Sequence, residues 1–229
     1  MNDSGSNEDG RETGQLVRRL GCLDTALACD VLDDLGHRNC FLGPSVGAVY
    51  PAGPVVGVAF TMAASTVTDV HVPDQPYEML LASYEHMRPN EVIVIATDGD
   101  RRSSIWGELL SIAAAARGIT GLVTDGSVRD LHEMERLGFP VFASGISPLD
   151  AAGRLEVRDH SLPIQCGGVT VRPGDFVLGD GMGVVAVPRE AIGDVLRLAE
   201  EKQRSESEVR QLLAHGENIS DVFDRYKIL

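Results

Sequence analysis

The sequence predicts an α/β fold with a parallel βαβ centre, a β-rich section after it and a long C-terminal helix. Three observations carry this. From Trp106 to Phe142 the chain reads as helix, strand, helix, strand, the alternation that builds a parallel sheet with right-handed crossovers. From Leu155 to Val187, short β runs are separated by turn signals at Gly167-Gly168, Pro173-Gly174-Asp175 and Asp180-Gly181, which reads as antiparallel strands. From Pro188 to His215 runs one helix pattern, opened by proline and closed by Gly216.

The elements follow in order. Residues 1–14 are polar, Gly/Ser-rich and acidic, and are expected to be a disordered tail. A single domain is expected over 15–216, starting with a helical turn at Leu16–Leu20. Leu23–Leu35 is a helix with Asp24 or Thr25 as its cap and an apolar stripe of Leu27, Val31, Leu32 and Leu35. Its Asp30, Asp33 and Asp34 read as a solvated face. Phe41–Ala64 is rich in Gly, Pro and Val and predicts short strands and tight turns. Thr66–Pro76 is a polar loop, with Asp69, His71 and Asp74 at a spacing that ligands could use but without a second cluster. A helix is expected from about Asp74 to Met87, then a buried strand at Glu91–Thr97. Trp106–Arg117 is made of good helix formers and ends where Gly118 offers a left-handed cap. Ile119–Thr124 is a strand. Ser127, three residues before Asp130, resembles a capping box for a helix reaching Leu137. Residues 217–229 form a tail ending in Ile228-Leu229, a candidate for docking on a neighbouring subunit. The long helix has a weak apolar face and is a candidate for the same role.

Composition narrows the function. The net charge of −14 carries no basic footprint, so a non-specific nucleic-acid binder is not expected. Cys22, Cys29, Cys40 and Cys166 form no CxxC pair and read as free thiols of a reducing compartment, with Cys22, Cys29 and Cys40 as buried small hydrophobes. No apolar run is long enough for a membrane, and the N-terminus is not signal-like. A cytoplasmic protein is expected. Asp98-Gly-Asp-Arg-Arg102 lacks dinucleotide spacing.

The chemistry concentrates at Asp125-Gly126-Ser127-Val128-Arg129-Asp130, where a strand runs into a helix. Ligands bind at the carboxyl ends of parallel strands. Asp125, Arg129 and Asp130 fall at that edge, and so do Asp98 and Asp100. In the first turn of the proposed helix, Arg129 would add a bidentate fork to unpaired N–H groups, a seat for a carboxylate. Its bland reading is an exposed ion pair with Glu133. Asp130 and Glu108 are either helix-start acids, worth ~0.3–1 kcal/mol each, or functional groups. Glu133 is either a supporting acid or a solvated helix residue. His132 is expected on the surface.

The same stretch resembles the RraA-like family, which includes metal-dependent 4-hydroxy-4-methyl-2-oxoglutarate aldolases and RNase E regulators. The resemblance rests on Glu108, twenty residues, Arg129-Asp130, two residues and Glu133, with Gly107-Glu108-Leu109 and Leu137-Gly-Phe-Pro-Val-Phe142 as flanks and Asp180-Gly-Met-Gly-Val-Val-Ala-Val-Pro188 as a second block. It spans roughly Leu23–Pro188. It implies a swivelling β/β/α fold and a homotrimer, or a hexamer of two trimers. It also implies Mg²⁺ or Mn²⁺ with Asp130 as the direct protein ligand. Glu108 would order water, and the backbone of Gly107, Glu108, Leu109 and Leu110, with Arg129, would hold a 2-oxo acid. Arg129, Glu108 and Asp130 are thus the implied catalytic residues, and Glu133 an outer support. An acid from a neighbouring subunit is also implied; Glu200, Glu206 and Glu208 are candidates. The reaction is retro-aldol cleavage to pyruvate, with oxaloacetate decarboxylation through the same enolate. Lys202 and Lys227 lie outside the motif, which argues against a Schiff-base aldolase. The alternatives are a lyase for another hydroxy-oxo acid and a non-catalytic regulator of RNase E. Regulators lack a complete acid set, whereas this chain keeps one.

Overall fold

The structure, a computed structural model, describes residues 4–67 and 77–227. The centre is parallel. Strands β2 (Val55–Thr66), β3 (Glu91–Ala96), β5 (Gly121–Val128) and β6 (Val141–Ile146) run side by side, and the short β4 (Ser104–Trp106) joins the carboxyl half of β5. Residues Val92–Ala96 of β3 are all buried, as expected of a strand covered on both faces. Helices α3 (Glu78–Ser83), α4 (Glu108–Ala116) and α5 (Leu131–Leu137) contribute to the core built around Trp106, Ile95 and Leu122.

The β-rich section is antiparallel and grows from β2. The first half of β2 pairs with β10 (Phe176–Asp180), its second half with β7 (Leu155–His160). Beyond β10 lies β11 (Gly183–Val187), and β8 (Ile164–Cys166) and β9 (Val169–Val171) form a separate hairpin. At the opposite edge, β1 (Gly47–Ala48) pairs with β6. A single twelve-residue strand thus joins the two regimes where short strands were expected. Val55, Met62 and their neighbours are buried along almost its whole length, and it passes from β10 at Val55–Val58, past β3 at Val58–Ala63, to β7 at Met62–Thr66.

Helices α1 (Ser4–Leu20), α2 (Thr25–Asp34) and α6 (Ile192–Ala214) share a second core with Phe176 and Val187. The Asp24 side chain caps α2 by accepting from the Leu27 N–H at 2.8 Å. Asp180 accepts from the Thr25 N–H at 2.9 Å and the Thr25 hydroxyl at 2.7 Å, tying α2 to the β10–β11 turn. Lys202 meets Asp30 at 2.6 Å and Arg19 meets Glu200 at 2.8 Å.

Several expectations need correction. The segment expected to be disordered carries most of α1, which is anchored by the burial of Val17 and Leu20. Trp106 ends a strand and precedes its helix. Ser127 is no cap: β5 continues through it, because β4 and β6 supply ladder partners there, and its hydroxyl donates to the Arg101 carbonyl at 2.7 Å. Arg129 accordingly lies before α5, outside its first turn. Asp125 is buried, accepting from the Thr97 N–H at 2.7 Å and hydroxyl at 3.0 Å; it braces β3 against β5. Cys22 is exposed; Cys29 is half-buried and Cys40 buried. In the tail, α7 (Ile219–Tyr226) folds back on α6 of its own chain through Val222. The Asp69, His71 and Asp74 spacing and the expected helix start at Asp74 lie outside the described residues. No helix among the described residues is long and apolar enough to cross a membrane.

Candidate functional site

The site assembles where β4 and β5 end. The Arg129 N–H donates to the Trp106 carbonyl at 3.0 Å, so the arginine is still tied to the neighbouring strand. Asp130 follows in the left-handed region at φ 58°, a conformation Asp tolerates better than most residues, and this reverses the chain into α5. Its Oδ2 accepts from the Glu108 N–H at 3.3 Å and lies 3.6 Å from Arg129 Nε. The α4 start is fixed from below. The buried Trp106 indole donates to Ser111 Oγ at 2.8 Å, and that hydroxyl donates to the Gly107 carbonyl at 3.1 Å. The Tyr84 hydroxyl donates to the Leu110 carbonyl at 2.9 Å.

A third strand end contributes Asp150, from the loop after β6. Its Oδ2 lies 2.7 Å from Arg129 Nη1, and its Oδ1 accepts from the Ala152 N–H at 2.7 Å and from the Tyr77 hydroxyl. Partial burial pushes the Asp150 carboxyl up, but the Ala152 and Tyr77 hydrogen bonds and the Arg129 charge outweigh it and hold the group below its usual range. Burial, then Asp150, pushes the Tyr77 hydroxyl up to about 12.

These groups line a cavity of about 280 Å³, whose remaining wall is apolar and includes Leu81, Ile105, Leu109 and Leu110. A larger open hollow of about 750 Å³ lies by Glu91 at the amino end of β3. It holds none of the predicted residues, and the smaller cavity is favoured because its polar groups converge.

Of the residues predicted from sequence, Gly107, Leu109, Leu110, Arg129 and Asp130 come together on this wall. Glu108 reaches it through its backbone N–H. Glu133 does not join: it pairs with Arg136 at 2.9 Å and leaves Arg129 to Asp150, so the Arg129–Glu133 pair of the bland reading is absent among the described contacts. His132 is exposed, as expected. Asp98 and Asp100 are not on the cavity wall. Asp150 and Tyr77 were missed. Asp150 could have been found by extending the strand-end rule from β3 and β5 to β6; nothing in the sequence marks Tyr77.

Among the described residues no three His, Cys, Asp or Glu side chains gather around one point. The cavity wall carries two carboxylates, and Asp150 has both oxygens engaged. A hard cation that keeps most of its water fits this donor set through Asp130; a cation needing a full protein cage does not.

A family model described as "RraA-like: Aldolase/RraA" matches residues 25–186. A "Putative 4-hydroxy-4-methyl-2-oxoglutarate aldolase" of Halalkalibacterium halodurans is 33% identical over 195 residues, covering 85% of this chain and 86% of that protein. An uncharacterized protein of Methanocaldococcus jannaschii is 33% identical over 137 residues, or 59% of this chain, and the match spans 65% of that relative's length. The solved structure of a Streptomyces coelicolor protein, described as an unusual member of the RNase ES inhibitor RraA protein family, superposes with a TM-score of 0.79 at 29% identity, covering 86% of this chain and 98% of that one.

Proposed function

The chain belongs to the RraA-like family, and we propose that it is a divalent-metal-dependent lyase. It cleaves 4-hydroxy-4-methyl-2-oxoglutarate, or a related 4-hydroxy-2-oxo acid, to pyruvate, and it decarboxylates oxaloacetate. The observation that carries this is the meeting of Arg129, Asp130 and the first turn of α4 on one small cavity. The relative from Halalkalibacterium halodurans supports the reaction class.

Each group has a task. Arg129 and the N–H groups opening α4 bind the 2-oxo acid carboxylate, since such N–H groups have no partner within the helix. Asp130 holds Mg²⁺ or Mn²⁺, which when bound supplies Lewis-acid stabilisation for the negative charge left on the pyruvate half. Arg129 adds a second positive group; removal of such a donor costs about 3 kcal/mol in the transition state. The 4-hydroxyl needs a proton acceptor. Tyr77, pushed up to about 12, stays protonated near neutral pH and cannot serve. A water beside Arg129, ordered by Glu108, is the relay.

The test is pyruvate release from oxaloacetate with Mg²⁺, with chelator, and with Asp130→Ala, followed by assays of 4-hydroxy-2-oxo acids. Release above the metal-only rate, lost in both controls, supports the lyase. The Streptomyces coelicolor neighbour supports a second reading, a regulator that binds an RNase E-type enzyme. Absence of cleavage on every substrate, together with inhibition of such a nuclease, would favour it.

A further inference from the structure

Asp150 links two cavity-lining side chains that are far apart in sequence. One carboxylate oxygen takes the Arg129 guanidinium at 2.7 Å; the other takes the Tyr77 hydroxyl and, at 2.7 Å, the Ala152 N–H. We propose that Tyr77 and Asp150 form a clamp that fixes the Arg129 guanidinium in the orientation that receives the substrate carboxylate. Both are positioning residues. The proposal rests on the lyase reading of this cavity.

Three observations support the clamp. First, an arginine side chain is long and flexible, and its fork binds a planar carboxylate well only when its plane is set in advance. Here Asp150 takes Nη1 at 2.7 Å, and the Asp130 charge stands on another side, 3.6 Å from Nε, so Asp150 is the acid that holds the guanidinium. The guanidinium has five N–H donors, and Asp150 engages one of them at hydrogen-bond distance, which leaves the others for substrate. Second, Asp150 is itself immobilised, with both of its oxygens occupied. Its carboxyl is held ionised and Tyr77 held protonated, so the clamp keeps its donor and acceptor roles across the working pH range. Third, Tyr77 stands just ahead of α3 with φ 71°, an uncommon conformation for a bulky residue. The backbone there holds this left-handed turn while the ring lines the cavity and its hydroxyl reaches Asp150.

The same contact admits an opposite role, in which Asp150 competes with substrate for Arg129. The two roles move affinity in opposite directions, so measurement separates them. The probe is oxalate, a planar mimic of the pyruvate enolate, titrated calorimetrically into the full chain with Mg²⁺. KM and kcat for oxaloacetate are measured alongside. Asp150→Asn keeps the shape but loses the charge, and should weaken oxalate binding and raise KM on the order of tenfold, as for loss of a charge-assisted hydrogen bond. Tyr77→Phe removes only the hydroxyl and should raise KM about threefold. In both, kcat should change less than KM. Mg²⁺ affinity, measured without oxalate, should stay at the wild-type value. In an Arg129→Lys background, Asp150→Asn should have little further effect on KM, because the clamp's object is gone.

Unchanged or tighter oxalate binding in Asp150→Asn overturns the clamp. So does a tenfold effect that persists undiminished in the Arg129→Lys background, which would mark Asp150 as a general support of the loop. If Asp150→Asn fails to fold, Tyr77→Phe decides by the same criteria. A wild type that binds no oxalate and releases no pyruvate would sink the lyase reading, and the clamp with it; a wild type that does both, with unaltered variants, sinks the clamp alone.

Discussion

Gly107 has no room for a side chain. A Cβ there would stand 2.6 Å from Asp130 Oδ2 and 3.2 Å from Arg129 Cγ. Its φ of −164° is extended backbone open to any residue, so contact alone demands the glycine. Gly107→Ala should therefore push Asp130 and Arg129 aside with little loss of stability. Displacements near 1 Å in a site of this kind cost about 100-fold in rate. A kcat/KM assay paired with a melting curve checks it: a variant with near-wild-type activity would mean that the aspartate is not held where it works. Asp180 shows a residue acting on stability instead. Partial burial pushes its carboxyl up, but hydrogen bonds from Thr25, Met182 and Gly183 outweigh this and hold it below its usual range. A depressed carboxyl contributes stability that is present above its unfolded value and lost as pH falls through the folded one. Asp180→Asn should cost about 1–2 kcal/mol at pH 7, and the gap from wild type should begin to narrow below about pH 4. Urea titrations at pH 7 and pH 3 measure both ends; an equal gap at both would show that the charge contributes nothing.

At the scale of elements, legibility followed the range of the interaction. Helix α2 was readable because its cap and its stripe are local: Asp24, Leu27, Val31 and Leu32 do what their spacing says. The parallel centre was readable because β3 and β5 are short apolar runs between turn residues. Ser127 was misread for the opposite reason. Its sequence context offers a cap, but the ladder to β4 and β6 and the close fit of Gly145 against its hydroxyl decide its state, and those partners are distant in sequence. Arg129 and Asp130 were legible as a dipeptide in a spaced motif, whereas the Arg129 partner, Asp150, depends on where the loop after β6 returns. The contact of the tail with its own chain was not legible either, since it depends on where α7 meets α6. Val222 is the one buried residue of α7 among the described residues, and α7 lies against α6. Val222→Ala should loosen α7 by about 2 kcal/mol. Hydrogen exchange should show faster amides over 222–226 with little change in the central strands. Slowed or unaltered exchange there would mean that α7 is held by something else.

For the whole molecule, the telling feature is where apolar surface remains. Leu81, Leu109 and Ile112 are exposed on the α3 and α4 side of the cavity, with Leu109 at 77%. Ile146, 61% exposed, lines a second hollow that shares Arg129 and Asp130, and Leu149 is exposed close by in sequence. Large aliphatic side chains thus flank the arginine and the aspartate on both sides, and contiguous patches of this kind mark interaction surfaces. The homotrimer implied by the family resemblance would set a second copy of the chain over this surface, excluding water and bringing an acid to the site. A net charge of −14 on each chain opposes that association at long range. Salt screens the repulsion, with a Debye length of about 10 Å at 0.1 M, while the apolar contact keeps its strength, so assembly should tighten from low to moderate salt. Sedimentation should give a multiple of 24.5 kDa, with three chains the expected number. Leu109→Glu and Ile146→Glu should each shift the mass toward one chain and lower kcat/KM in step with the fraction dissociated. A dissociated variant with full activity would show that one chain completes its own site; a wild type of one chain at every salt concentration would leave these leucines and isoleucines to a different protein.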